Sequence, residues 1–426
     1  MKKLLIITYY WPPCGGAGVR RWLKLSKYLS QQGVKVHVLT VEPEKASYPI
    51  IDKNLCNDIS SEIEVTYTNT FEPFELYKRV SRSESIPYAG FANEQKPSLM
   101  KKVSRFVRGN FFIPDPRKGW NKYAIKAARQ IIETQNIDTV ITTSPPHSTQ
   151  LIGLELKKRN NIKWISDFRD PWTDLFYFKD FYPTKLATLV NKKQELKVLN
   201  NADTVLTVSK ALKETFAAKV NSCNSSKFIV VPNGFDPDDF GEIMKSKTDV
   251  FTITYGGSLS EHQPLDNFLL AVKNVRQKGF EIEIKFIGNF GDNVKANIER
   301  TELLEQTKFT GYLPHSEALF EMKQSDAFLL IVPQTADNKG ILTFKYFEYI
   351  AMQRPILAIG PTDGDLATII DKTNTGVISD YNNVNFIEET LINWITNKQN
   401  NDSSFAEKSK FDEFNFKTIA EKLIGF

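Results

Sequence analysis

Lys345 and Glu348 stand three residues apart in the run Thr343-Phe344-Lys345-Tyr346-Phe347-Glu348-Tyr349. On a helix that spacing sets a cation and a carboxylate on one face. Beside an open helix N-terminus such a pair can serve a diphosphate and a ribose diol respectively. A solvated ion pair of the same spacing contributes only ~0.3–0.5 kcal/mol. Here Phe344, Phe347, Ile350 and Ala351 surround the two charges and argue against full solvation. Two glycine loops offer further anion chemistry. In Pro12-Pro13-Cys14-Gly15-Gly16-Ala17-Gly18, bare backbone amides can approach an anion, and Arg20 and Arg21 follow at once. Arg21 occupies the place of the third glycine of a dinucleotide fingerprint, and Glu42 lies too far beyond Gly16 to act as its ribose acid. Gly256-Gly257-Ser258 forms the second loop, and Gly288 closes a later apolar run.

Two further constellations follow apolar runs. His147, one of four histidines, comes after Pro145-Pro146, which fix the backbone before it. Asp167-Phe168-Arg169-Asp170 carries two carboxylates and a guanidinium, suited either to an acceptor or to bracing a loop. Asp236-Pro237-Asp238 and Asp363-Gly364-Asp365 have the spacing of paired metal carboxylates, but read as a turn and a helix start. No histidine neighbours another, so no metal is expected.

These residues sit at the ends of strand-length apolar runs that alternate with helical patterns. Leu4 to Thr8, the helical spacing of Trp22, Leu25, Ser26 and Leu29, the stop at Gly33 and the run Val34 to Thr40 form one βαβ unit. Further strands are expected at 139–142, 164–166 and 204–208. A second series is expected at 228–231, 251–255, 281–287, 327–332 and 355–359. The fold class is α/β, with two Rossmann-like domains facing a cleft at the strands' carboxyl ends. The expected divisions are 1–205, 206–405 and a closing helix over 406–426.

The 426 residues are 41% hydrophobic and 25% charged, a globular composition. Three scattered cysteines, Cys14, Cys56 and Cys223, fit neither a disulfide framework nor a zinc ribbon and suit a reducing, cytoplasmic setting. No apolar run approaches the ~20 residues of a membrane span. A net charge of +5 is too low for a dedicated nucleic-acid binder. Lys96 to Lys118, however, holds seven basic residues against Asp115 alone, a net +6 over 23 residues. Leu99, Met100, Val103, Phe106 and Val107 recur there at helical spacing, the pattern of an interfacial helix on an anionic membrane. The other reading is a helix that packs its apolar face on its own domain.

The order of the motifs resembles glycosyltransferase family 4 with the GT-B architecture over nearly the whole chain: Pro12-Pro13 with Gly15-Gly16, then Pro232-Asn233-Gly234-Phe235-Asp236, Gly256-Gly257-Ser258, and Lys345 with Glu348. The resemblance implies retaining transfer of a sugar from a nucleotide-diphosphate sugar to a glycan or lipid-linked acceptor, with no metal and no cofactor beyond the donor. It implies His147 near the reacting sugar; such a reaction needs fixed cations at the departing diphosphate, for which Arg20 and Lys345 are the candidates. Gly15, Gly16, Gly257, Ser258, Gly288, Thr343, Lys345 and Glu348 would hold the donor, with Glu348 on the ribose. Asp167, Arg169 and Asp170 would lie on the acceptor side or brace the loop. Gly340 stands eight residues before Glu348, where the family's first acid is expected. Lys345 replaces the basic residue missing after Gly257. A nucleotide-sugar epimerase and a non-catalytic sugar-nucleotide-binding partner are the alternatives.

Overall fold

A computed structural model describes residues 2–72, 99–220, 225–241, 249–400 and 410–425. In the first unit the strands are β1 (Lys3–Ile7), β2 (Lys35–Val41), β3 (Glu64–Thr68), β4 (Thr139–Ser144), β5 (Lys163–Phe168), β6 (Thr204–Thr207) and β7 (Phe228–Val230). Its helices are α1 (Ala17–Gln31), α2 (Leu99–Phe111), α3 (Asn121–Gln135), α4 (Ser148–Arg159), α5 (Lys185–Asn201) and α6 (Lys210–Lys219). All seven strands are parallel, in the order β3-β2-β1-β4-β5-β6-β7.

The second unit repeats the design. Its strands are β8 (Phe251–Gly256), β9 (Ile282–Ile287), β10 (Thr307–Phe309), β11 (Ala327–Ile331), β12 (Ile356–Ile359) and β13 (Gly376–Ser379). Helices α7 (Asp266–Gln277), α8 (Asp292–Arg300), α9 (His315–Lys323), α10 (Phe344–Ala351), α11 (Asp365–Thr373) and α12 (Val384–Gln399) connect or cover them. A last helix, α13 (Phe416–Ile424), ends the chain's described part. The order is β10-β9-β8-β11-β12-β13, again all parallel. In both sheets the strand order reverses beside the first strand, between β1 and β4 and between β8 and β11. At such a switch point adjacent crossovers run to opposite faces and leave a crevice at the carboxyl ends.

The domain boundary lies later than the expected 205. β6 and β7 pair with β5 and complete the first sheet, so the run at 228–231 closes the first unit instead of opening the second. The first unit extends to Pro232 and regains the chain from Ile419; Asn233–Thr418 forms the second. Apolar runs mark strands but not the sheet they join, which explains the displacement. The expected closing helix is shorter than 406–426: α13 spans Phe416–Ile424, while 401–409 and 426 lie outside the described residues.

Central strands are buried along their length because helices cover both faces. In the second unit Ile253, Ile284 and Leu329 pack with α7 and α12 on one face, while Phe328, Leu330 and Ile356 pack with α10 and α11 on the other. α2 is different: none of its residues is buried. Leu99, Met100, Val103, Phe106, Val107 and Phe111 are 39–80% exposed, so much of its apolar face is open to solvent among the described residues. Asn110 ties the end of α2 to the start of α5, accepting from Thr184 N at 2.7 Å and donating to Tyr182 O at 3.0 Å. Of the basic residues in that stretch, Lys101, Lys102 and Lys118 are exposed. Arg117 is buried and donates to Ser47 O at 3.2 Å, and Lys96 lies outside the described residues.

Candidate active site

In the second unit the switch-point loop after β8 brings its glycines against α10. Gly257 adopts a positive φ of 99° and donates its N–H to Ile287 O at 2.7 Å. A Cβ there would lie 2.7 Å from Lys345 Cε, so glycine is required both by conformation and by the approach of the lysine. Gly288, at φ 133°, allows the next loop to approach the Gly257 carbonyl, which a Cβ would meet at 2.5 Å. The loop amides of Gly257 and Gly288 are both spent on backbone carbonyls, since Gly288 N donates to Gly311 O at 2.9 Å.

Lys345 is half-buried, donates to Tyr255 Oη at 2.6 Å and lies 4.2 Å above the same ring. Its Nζ also reaches Ser258 O at 3.3 Å, and Tyr255 Oη donates to that carbonyl at 3.0 Å. Burial pushes the amine down to about 7, opposed by the Glu348 charge. Glu348 is 9% exposed, and its Oε1 accepts from His315 Nε2 at 2.8 Å. The lysine and glutamate therefore share the helix face that their spacing requires, both sheltered from solvent, with the carboxylate tied to α9. His315 gave no sequence signal because it enters from a separate helix. Thr343 precedes α10, and its buried Oγ1 has no hydrogen-bond partner among the described residues. Tyr349 Oη accepts from Gly256 N at 2.9 Å and fixes the helix to the loop.

In the first unit Gly16, at φ 91°, leads into α1. Gly15 does not offer its amide to an anion, because it donates to Ile50 O at 2.9 Å. Arg20 stands half-exposed on the first turn. Arg21 departs from the anion-binding expectation: it is fully buried and pairs with Asp167 Oδ1 at 3.0 Å. It also donates to Val231 O at 2.9 Å and Pro232 O at 2.7 Å. Asp167 Oδ2 accepts from Trp22 Nε1 and Thr143 Oγ1, each at 2.7 Å. Asp167 is thus a brace within the sheet, and its partner is Arg21 instead of the neighbouring Arg169. Arg169 braces the loops, donating to Ser144 O at 3.1 Å, Pro145 O at 2.9 Å and Gly18 O.

His147 is buried at the start of α4, its ring stacked on Trp172 with centroids 5.1 Å apart and planes 9° from parallel. Burial, then the Arg169 charge, push it down to about 3, so the imidazole is neutral near pH 7. The Pro171 backbone opposes that shift, and among the described residues neither ring nitrogen makes a well-formed hydrogen bond. Asp115 caps the adjoining helix, accepting from Ser148 N at 2.7 Å and Ser148 Oγ at 2.8 Å. A lone acid in a basic stretch gave no hint of that role. Asp170 is half-buried beside Arg169, and burial raises its carboxyl. Among the described residues no group of three histidine, cysteine, aspartate or glutamate side chains could hold a metal ion.

Comparison with known proteins agrees with this architecture. Residues 15–239 match the family described as Glycosyltransferase Family 4, and residues 237–411 match Glycosyl transferases group 1. No curated protein matches. Sucrose-phosphate synthase from Thermosynechococcus elongatus is 11% identical with a TM-score of 0.63, over 100% of this chain and 98% of that one. HepE from Anabaena, solved with UDP and glucose, is 13% identical with a TM-score of 0.62, over 100% and 99% of the two chains. A TarM variant from S. aureus, solved with Fondaparinux, alpha-GlcNAc-glycerol and UDP, is 13% identical with a TM-score of 0.61 over the same shares. These likenesses show a shared two-domain α/β fold of the GT-B kind. With more than half of its 426 residues matched by the first family, the chain belongs to Glycosyltransferase Family 4, and transfer of a sugar is its reaction.

Proposed function

We propose that the enzyme moves a sugar, with retention of anomeric configuration and without a metal, from a nucleotide-diphosphate sugar to a glycan or lipid-linked acceptor. The observation that carries the donor assignment is the half-buried Lys345 amine beside Gly257 and Ser258, with the sheltered Glu348 carboxylate on the same helix face. Cleavage of the anomeric carbon–oxygen bond leaves positive charge on the sugar and negative charge on the diphosphate. Fixed cations at the diphosphate then lower the barrier most. An amine with a pKa near 7 is poised for this, since an arriving diphosphate holds it protonated. Glu348, oriented by His315, accepts the two ribose hydroxyls. His147, being neutral, works through hydrogen bonding at the sugar instead of as a charge. Retention itself rests on family membership, with the attack on the face that the leaving phosphate vacates.

HepE and TarM were both solved with UDP, which makes UDP-sugars the first donors to try. The experiment is a melting panel with UDP, GDP, ADP and their sugars, followed by transfer assays in EDTA and determination of the product's anomeric configuration. A ligand at 100 times its Kd raises stability by about 2.7 kcal/mol. No shift with any nucleotide would overturn the donor assignment, inverted product would overturn retention, and activity lost in EDTA would overturn metal independence.

A second reading concerns location. The exposed apolar face of α2, with Lys101 and Lys102 beside it, favours docking on an anionic membrane surface. No helix among the described residues is long and apolar enough to cross a membrane.

A further inference from the structure

The Lys345 amine is held by neutral groups to which the sugar-transfer reading gives no task. Tyr255, near the carboxyl end of β8, is buried, and its hydroxyl is fully committed. A phenol has one proton to give and two lone pairs to offer. Tyr255 Oη donates to Ser258 O at 3.0 Å, and it accepts from Lys345 Nζ at 2.6 Å and from Gln263 Nε2 at 3.1 Å. Gln263 is committed in turn. Its Nε2 also donates to Ile331 O at 2.6 Å, at the end of β11, while its Oε1 accepts from Ser260 N at 2.9 Å and Ser260 Oγ at 3.2 Å. A reversed amide would set its oxygen against the Ile331 carbonyl, so the orientation of Gln263 is fixed.

β8 and β11 are neighbours at the switch point of the second sheet. The chain Ile331–Gln263–Tyr255–Lys345 therefore ties the lysine of α10 to both strands. Its stem is confined as well, by the Tyr255 ring 4.2 Å from Nζ and by Gly257, where any Cβ would strike Cε. An ammonium has three N–H donors. Among the described residues only Tyr255 Oη and Ser258 O accept from Nζ. One donor is thus left over, and its direction is set by the two that are used. A lysine normally loses much rotamer freedom when a ligand orders it; here that ordering precedes the ligand.

We infer that Tyr255 and Gln263 are positioning residues for sugar transfer: together they fix the Lys345 amine so that its remaining N–H meets the donor diphosphate. The inference rests on the donor reading given above and assigns the groups that make Lys345 a fixed cation instead of a mobile one. Charge grows on the diphosphate as the anomeric bond breaks, and a cation already in place stabilises it without reorganising. The neutrality of the two anchors matters. A carboxylate in either position would neutralise the amine that the diphosphate needs, whereas a hydroxyl and an amide orient it and leave its charge unspent.

The test is a double-mutant cycle on the full chain, read as UDP affinity by calorimetry. Tyr255→Phe, which keeps the ring and removes the oxygen, should weaken UDP about tenfold, the loss expected for one charge-assisted hydrogen bond. Gln263→Met, which keeps the length and removes the amide, should weaken it about threefold, as for a neutral bond. In a Lys345→Met background either change should alter affinity by about twofold or less, because nothing is left to position. A purely structural role would weaken UDP equally in both backgrounds, and that result overturns the inference. Wild-type affinity in Tyr255→Phe overturns it while leaving the donor reading standing, provided that Lys345→Met is impaired. Tighter binding by Tyr255→Phe also overturns it, since the hydroxyl would then compete with the ligand for the amine. Unchanged affinity in Lys345→Met overturns the donor reading and this inference together. Should Tyr255→Phe fail to fold, as its melting temperature would report, the Gln263→Met arm of the cycle decides by the same criteria.

Discussion

The Lys345 amine donates to the Tyr255 hydroxyl across 2.6 Å while lying 4.2 Å above the same ring. It thereby trades hydration for one hydroxyl, one carbonyl and a π-face, which is why its pKa falls to about 7. In the ligand-free protein the unfolded chain keeps a proton that the folded chain releases between pH about 7 and the ordinary lysine value. Stability should therefore rise with pH across that window. Binding a diphosphate reverses the release. At pH 8, titration with UDP in buffers of different ionisation enthalpy should show net proton uptake, and Lys345→Met should abolish it.

Replacing Glu348 by Gln should leave the fold intact and weaken nucleotide binding, because a charge-assisted hydrogen bond to the ribose contributes about 1.5–3 kcal/mol. His315→Ala should weaken binding by less, through loss of the 2.8 Å contact that orients the carboxylate. Calorimetry checks both. Unchanged affinity in Glu348→Gln would remove the ribose assignment.

The contrast between Glu348 and Arg21 shows what can be read from sequence. Glu348 and Lys345 are three residues apart, so helical geometry alone put them on one face, and Phe344, Phe347, Ile350 and Ala351 around them foretold their shelter. His315, 33 residues away, and Tyr255, 90 residues from Lys345, belong to the site only because the sheet brings their elements together. Arg21 misled for the same reason. Its place on the first turn of α1 suited an anion, but its partner, Asp167, is 146 residues distant. Among strands, the central apolar runs were legible, whereas β3, β10 and β13 were not. Glu64 to Thr68 alternates polar with apolar residues at a solvated edge, Thr307 to Phe309 is three residues long, and Gly376 to Ser379 begins at a glycine.

Arg21 and Asp167 give a stability prediction instead of an activity one. Both are fully buried, and breaking such a pair by removing one partner leaves an uncompensated charge, at a cost of about 3–5 kcal/mol. Urea denaturation of Asp167→Asn and Arg21→Met should show losses of that order. Had Arg21 been an anion site, its removal would cost ligand affinity with little change in stability.

His147→Ala should lower turnover far more than donor affinity, because the contribution proposed for it is made at the reacting sugar. Since burial holds the ring neutral down to about pH 3, the kcat profile should carry no His147 limb between pH 5 and 8. Wild-type turnover in the alanine variant would assign the stacked ring to packing against Trp172 alone.

The membrane prediction turns on two helices. α2 exposes Leu99, Met100, Val103 and Phe111, and α5, tied to it through Asn110, exposes Leu186 and Leu189 at 72% and 63%. Scattered exposed leucines need no explanation, but on the membrane reading proposed above the six large apolar side chains of the two helices, with Lys101 and Lys102 beside them, would meet the bilayer. Each lysine near an anionic bilayer contributes about 1 kcal/mol, and the attraction is screened by salt. Co-sedimentation with phosphatidylglycerol-containing vesicles should therefore fall with ionic strength and drop about tenfold or more when Lys101 and Lys102 become Glu. Leu186→Ser with Leu189→Ser should weaken it at every salt concentration, since apolar insertion is not screened. Equal partitioning of the wild type and both variants would return the two helices to the solvated surface.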